Sequence, residues 1–216
     1  MFEIEYKGAN CVVISNKKTK LVMDPKLSIV GLKDFPVKDC VEIATEERFA
    51  IYNSDESLLI NGPGEYGVAD FDIRGIAARR HIDSEDKQKL STMYRIEIDD
   101  VRLGVLGNID ENLNDDQLEE LGVLDILVLP VGGNGYTLDA VSAAKLVRTI
   151  GPKVVIPVHY FDKAIKYEVP QDDLELFVKE MGLEVETVSK YKSKQINNNQ
   201  AGIALIKIER SQVLFK

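Results

Sequence analysis

The segment Lys153-Val154-Val155-Ile156-Pro157-Val158-His159-Tyr160 constrains the fold of this chain more than any other. A β-branched run bounded on its N-terminal side by Gly151-Pro152 is a buried strand. Before it, Val141, Ala144, Val147 and Ile150 recur at helical spacing, and Gly151-Pro152 ends that helix. Earlier still, Leu124 to Pro130 is a nearly uninterrupted apolar strand. Val131-Gly132-Gly133-Asn134-Gly135-Tyr136 then forms a flexible loop, with Thr137 placed to cap the helix. Strand, helix and strand make a β-α-β unit, parallel and right-handed. Its second strand ends at His159, one of 2 histidines in the chain. Ligands of open α/β folds gather at the carboxyl ends of such strands.

Residues 1–110 read as short strands: Phe2 to Tyr6, Cys11 to Ser15, Leu21 to Met23, Val41 to Ala44, Phe49 to Tyr52, Leu58 to Asn61, Asp70 to Ile76, Met93 to Ile98 and Val101 to Leu106. Asp99-Asp100 turns the last two into a hairpin. Gly62-Pro63-Gly64-Glu65-Tyr66-Gly67 reads as a turn between strands. Asn114-Asp115-Asp116-Gln117 opens a short helix ending near Gly122. Asp172 to Met181 is a further amphipathic helix, with Leu174, Phe177, Val178 and Met181 on one face. Ala201 to Ile208 is a closing strand, and Lys190 to Gln200 is loop. With no internal repeat and no linker, the order predicts one domain over 1–216, a layered α/β sandwich rather than a doubly wound sheet.

A formal net charge of -9 argues against a phosphate-backbone binder, since no basic face balances the acid. No apolar stretch approaches the roughly 18–20 residues that span a bilayer. Met1-Phe2-Glu3-Ile4-Glu5 alternates as a first strand does and lacks the features of a signal peptide. Cys11 and Cys40 cannot build a disulfide framework and lack Cys-x-x-Cys spacing, so both are expected reduced in a cytoplasmic protein.

Read alone, His159 is a ligand, a base or a hydrogen-bonded core residue, and His81 is an isolated loop histidine. Gly132-Gly133-Asn134-Gly135 has N–H groups to offer an anion, but it has neither the Lys-Ser/Thr end of a phosphate loop nor dinucleotide spacing. A strand-to-helix turn is the simpler reading. Glu46, Glu47, Asp110 and Glu111 are not singled out by spacing, and a solvated face is their default. No Gly-x-Ser-x-Gly elbow is present.

Together these segments resemble the metallo-β-lactamase fold superfamily, in particular its small branch of zinc-dependent hydrolases related to lactonase-like members. Lys7-Gly8-Ala9-Asn10-Cys11 looks like the family's opening Gly-His turn, and Met23-Asp24-Pro25 like its Asp-Pro. Gly62-Pro63-Gly64-Glu65-Tyr66 matches a Pro-Gly-Glu-Tyr turn, and Leu106-Gly107-Asn108 falls where the family has Gly-Asp. Leu129-Pro130-Val131-Gly132-Gly133 through Ile156-Pro157-Val158-His159-Tyr160 is the most specific block. The resemblance implies a four-layer αββα sandwich. It also implies metal chemistry: a His-x-His-x-Asp-His motif, a later His, a bridging Asp and a final His hold one or two ions, typically zinc.

Carried over by position, most of that ligand set is missing. The stretch from Asp39 to Ala50 occupies the motif region without a histidine, and Thr45 or Glu46, and Glu47 or Arg48, stand where ligands belong. Ala9 replaces the early histidine, and Asn108 the bridging aspartate. Only His81 and His159 match ligand positions. The expectation is a non-catalytic relative that has lost its metal centre, with no catalytic residue assigned and no cofactor. Asp24, Glu47, Asn108, Gly132, Gly133 and Tyr160 would line a pocket for a small molecule or a protein. The alternative is a mononuclear hydrolase of esters, lactones or phosphodiesters, with zinc or another divalent metal on His81, His159 and a carboxylate such as Glu47. A third possibility is a scaffold subunit whose C-terminal helix and strand form a homo-oligomer.

Overall fold

The computed structural model describes residues 1–51, 57–82, 90–196 and 202–211. The first part of the chain supplies β1 (Glu3–Gly8), β2 (Cys11–Ser15), β3 (Lys20–Met23), β4 (Cys40–Ile43) and β5 (Ser57–Ile60). The second supplies β6 (Gly64–Val68), β7 (Phe71–Arg79), β8 (Leu90–Ile98), β9 (Val101–Val105), α1 (Asp115–Leu121), β10 (Ile126–Pro130), α2 (Ala140–Ile150) and β11 (Val154–Val158). After these come α3 (Leu174–Met181), β12 (Val185–Val188), β13 (Tyr191–Lys192) and β14 (Ala204–Ile208).

The strands form two sheets, in the orders β13-β1-β2-β3-β4-β5 and β12-β14-β11-β10-β9-β8-β7-β6. In the second sheet β9, β10, β11, β14 and β12 run parallel, and β6 to β9 form an antiparallel meander. Strands flanked by parallel neighbours are covered on both faces and need continuous apolar sequence. That is why every residue of β10 and β11 is buried.

Between the sheets, Ile4, Val12, Ile14, Leu21, Met23 and Ile43 meet Ile73, Met93, Ile96, Leu127 and Ile156 in one core. The alternate residues of β2 and β3 point the other way. Cys11, Val13 and Val22 pack on Leu27 and Val30 of a 3-10 turn, on Phe35 and on Ile165. The outer layer on that side is thus a 3-10 turn and connecting chain, whereas α1 lies against β7, α2 against β10 and α3 against α2. The layering is that of the αββα sandwich, with a 3-10 turn and connecting chain in place of helices on the β2–β3 side among the described residues.

Several local expectations change. Gly64–Val68 is a strand, because its backbone pairs with β7 despite two glycines. The Phe49 to Tyr52 strand is instead a 3-10 turn at Glu47–Phe49, and Tyr52 lies outside the described residues. Thr137 does not cap α2: Asp139 accepts from Ser142 N, and Thr137 turns inward, where its hydroxyl accepts from Gly133 N at 2.8 Å. Val141 consequently sits at the exposed start of α2, whose buried face is Ala143, Ala144, Leu146 and Val147. The segment after Lys190 contains β13 and a 3-10 turn, while Asn197 to Ala201 lie outside the described residues. Asp99 and Asp100 have φ of 51° and 61°, as the tight turn between β8 and β9 requires.

Candidate functional site at the carboxyl ends of the central strands

Around the site, the chain adopts left-handed geometry after strands at Ala9 (φ 46°), Asp24 (φ 47°), Gly107 (φ 65°) and His159 (φ 52°). For the three residues with a Cβ this costs roughly 1–2 kcal/mol each. At His159 the surroundings hold the conformation. Its N–H donates to Ala9 O at 3.0 Å, and Gly132 lies so close to its carbonyl that a Cβ there would overlap it.

The His159 side chain is buried, between Tyr167 (ring centroids 4.9 Å apart, stacked) and Tyr136 (5.4 Å, tilted). Its Nδ1 is 2.8 Å from Asn10 Oδ1, and Asn10 Nδ2 donates to Asn108 Oδ1 at 3.1 Å. Since the Asn10 amide points its nitrogen at Asn108, its oxygen accepts from Nδ1–H, and Nε2 carries the free lone pair. Among the described residues Nε2 has no hydrogen-bond partner, and neither has Asn108 Nδ2. Burial, with the Arg48 charge adding to it, pushes the imidazole down to about 3, so it stays neutral.

Asp24 is buried beside this chain of side chains. Its carboxyl accepts from Thr45 N and Thr45 Oγ1, both at 2.7 Å. Burial outweighs those two bonds and raises it to about 7, with the Glu46 charge acting in the same direction. Glu46 faces inward and Glu47 is exposed, because the 3-10 turn starting at Glu47 rotates the second carboxylate to solvent. Arg48 Nε lies 2.9 Å from Glu46 Oε2, close enough for an ion pair but off the line of a hydrogen bond. Arg80 NH1 reaches the same oxygen at 3.1 Å, leaving Glu46 Oε1 buried and unpartnered. The Arg48 guanidinium stacks over Phe49 and Tyr136 and donates to the Tyr136 hydroxyl.

The other expected residues are spread around this centre. His81 N donates to Asn108 O at 3.0 Å, and its Nδ1 lies 3.6 Å from Glu111 Oε2. Asn108 therefore stands between the two histidines, bonded to one through its backbone and linked to the other through Asn10. Gly133 N is taken by Leu138 O and Thr137 Oγ1, so the glycine loop closes on itself instead of presenting an anion cradle. Tyr160 turns its ring toward Tyr6, and its carbonyl accepts from the Tyr167 hydroxyl. Sequence reasoning did not single out Asn10, Tyr136 or Tyr167. Their only signal is polar or phenolic residues beside left-handed turns and loops.

A zinc site needs three side-chain ligands with lone pairs directed at one point. Among the described residues no group of three or more His, Cys, Asp and Glu side chains is placed to hold a metal ion. Asn108 is a neutral amide already bonded to Asn10, and the Arg48 charge acts on His159. The described side chains do not fit the family's metal centre.

The two sheets and the strand-end cluster define the sandwich fold of the metallohydrolases. A model of the Beta-lactamase superfamily domain matches residues 3–159, and the chain belongs to that superfamily. It is similar to the UPF0173 metal-dependent hydrolase of Archaeoglobus fulgidus, 30% identical over 139 residues that make up 62% of this chain and 59% of the relative. The Thermococcus onnurineus UPF0173 metal-dependent hydrolase is 31% identical over 138 residues, 57% of this chain and 61% of the relative. The match thus spans less than two thirds of either relative. Among solved structures, a Thermotoga maritima protein of the metallo-beta-lactamase superfamily superposes with a TM-score of 0.75 at 22% identity, covering 97% of this chain and 100% of that one. Igni18, a metallo hydrolase from Ignicoccus hospitalis, gives 0.62 at 17% identity, covering 84% and 90%.

Proposed function

We propose that this chain is a metal-free member of its superfamily that acts by binding rather than by hydrolysis. The observation that supports this reading is the chain His159–Asn10–Asn108, with an amide where the family resemblance expects a bridging carboxylate. A carboxylate shares two negative oxygens between cations; an amide offers one neutral oxygen, here already accepting from Asn10. The Arg48 guanidinium opposes a second cation nearby. The ligand would be a small molecule or a protein, reached from the strand ends; the net charge of -9 disfavours nucleic acid. Two free cysteines suit a reducing compartment such as the cytoplasm, and no described helix is long and apolar enough to cross a membrane.

A second reading is favoured by a different observation: the relatives are named metal-dependent hydrolases. The ring orientation of His159, with Nδ1 engaged and Nε2 open, is also one that a ligating histidine adopts. In that reading His159, His81 and a carboxylate would hold a divalent ion such as zinc, which supplies a water of lowered pKa for hydrolysis of an ester, lactone or phosphodiester. Elemental analysis of protein purified without chelator separates the two. The metal-free reading expects far less than stoichiometric zinc, manganese or iron; near-stoichiometric metal that disappears in His159→Ala overturns it.

A further inference from the structure

We propose that a groove beside the start of β1, walled by Lys17, Lys192 and Lys194, binds a small polyphosphate anion. The groove lies at the opposite end of β1 from Ala9 and is independent of whether the strand-end cluster holds a metal. Its lysines are far apart in sequence, and strand pairing brings them together. Glu3 stands opposite Lys192 on one side and opposite Ser15 on the other. Directly paired residues point to the same face of a sheet, so Lys192, Glu3 and Ser15 form one row across it. The turn after β2 supplies Lys17 at one end of the row, and the 3-10 turn after β13 supplies Lys194 at the other. All three lysines line one cavity of about 330 Å³.

The charges around the groove do not cancel. Glu3 pairs with Lys190 at 2.8 Å, Asp70 with Lys18 at 3.1 Å, and Asp99 with the amino terminus. Glu5, the next acidic residue of β1, pairs with Lys7 at 2.7 Å. Each of these carboxylates is matched by one cation. Lys17, Lys192 and Lys194 are left over, with no ion-pair partner among the described residues, against Asp100 in the adjoining turn. The net charge of -9 belongs to the whole chain. Charges more than about 8 Å away are largely screened at physiological salt, so the local surplus governs the groove. An ammonium is a compact point charge that binds phosphate without a fixed geometry. Three of them around a cavity at the lower end of the ligand-pocket range favour an anion that concentrates several charges in few atoms. A diphosphate or triphosphate does this, whereas a polycarboxylate spreads one charge over each carboxyl. The Ser15 hydroxyl on the groove wall adds a hydrogen-bond donor.

The test is a titration of ¹⁵N-labelled protein with sodium tripolyphosphate at about 0.15 M salt, followed by NMR of the backbone amides. The expected result is a saturable movement at Ser15, Lys17, Lys192 and Lys194 with one common Kd. Lys17→Gln, Lys192→Gln and Lys194→Gln should each weaken binding about two- to fivefold, and the triple variant should lose saturable binding. Lys145→Gln, on the exposed side of α2, should leave the Kd unchanged. Citrate should bind about threefold or more weakly than tripolyphosphate. If the triple variant does not fold, the single variants and the wild-type titrations decide. No saturable movement, equal weakening in Lys145→Gln, or equal affinity for citrate overturns the proposal. So does movement of the His81 and His159 amides in place of the lysines, which would put the anion at the strand ends.

Discussion

His159 and Asp24 are two buried titratable side chains whose ordinary behaviour is inverted, in opposite senses. The imidazole, held at about 3, has released its proton in the folded state while the unfolded chain still binds one. Between about pH 3 and 6.5 it therefore makes stability rise with pH. The Asp24 carboxyl, raised to about 7, keeps its proton after the unfolded chain has lost its own. Between about pH 4 and 7 it makes stability fall as pH rises. The two oppose each other in the wild type. Asp24→Asn should uncover the histidine: urea unfolding at pH 4.5, 6 and 7.5 should show stability climbing to about pH 6.5, by up to about 1.4 kcal/mol per pH unit. A slope no steeper than that of the wild type would refute this. Asn10 carries the next consequence. Asn10→Leu strands the polar ends of both His159 and Asn108 and should cost about 1–3 kcal/mol, measured by the same unfolding curves at neutral pH.

At the scale of elements, the β-α-β unit from β10 to β11 was legible because its signals are local: a solid apolar run, a helical period, and Gly151 at the end. What was hidden depends on partners far away in the chain. β6 reads as a turn, and only β7 makes it a strand. Thr137 reads as a cap, and only its burial beside Gly133 and Gln171 assigns that duty to Asp139. At the site the histidines, Asp24 and Asn108 were legible as positions. The inward turn of Glu46 over Glu47 was not, since neighbouring carboxylates differ only in the rotation of a 3-10 turn. Gly132 shows how tightly the elements meet. A Cβ there would run into the His159 carbonyl and the Gln171 side chain, so Gly132→Ala should destabilise by about 1–3 kcal/mol and lower Tm. An unchanged Tm would mean the loop moves freely away from β11.

At the scale of the whole molecule, the sandwich keeps the superfamily's frame, and its strand-end cluster is furnished with amides, aromatics and a guanidinium. The buried core between the two sheets holds that frame together by packing. The order of the strands also imposes a timetable. β1 pairs at once with β2, but its other edge is covered by Tyr191–Lys192 of β13, and Arg210 bridges to Tyr6. On a ribosome making about 5–20 residues per second, the first strand waits roughly ten to forty seconds for its outer neighbour to emerge. Throughout that interval the nascent chain exposes an unpaired strand edge, which makes its synthesis, more than its finished state, the stage at which chaperones have most to shield.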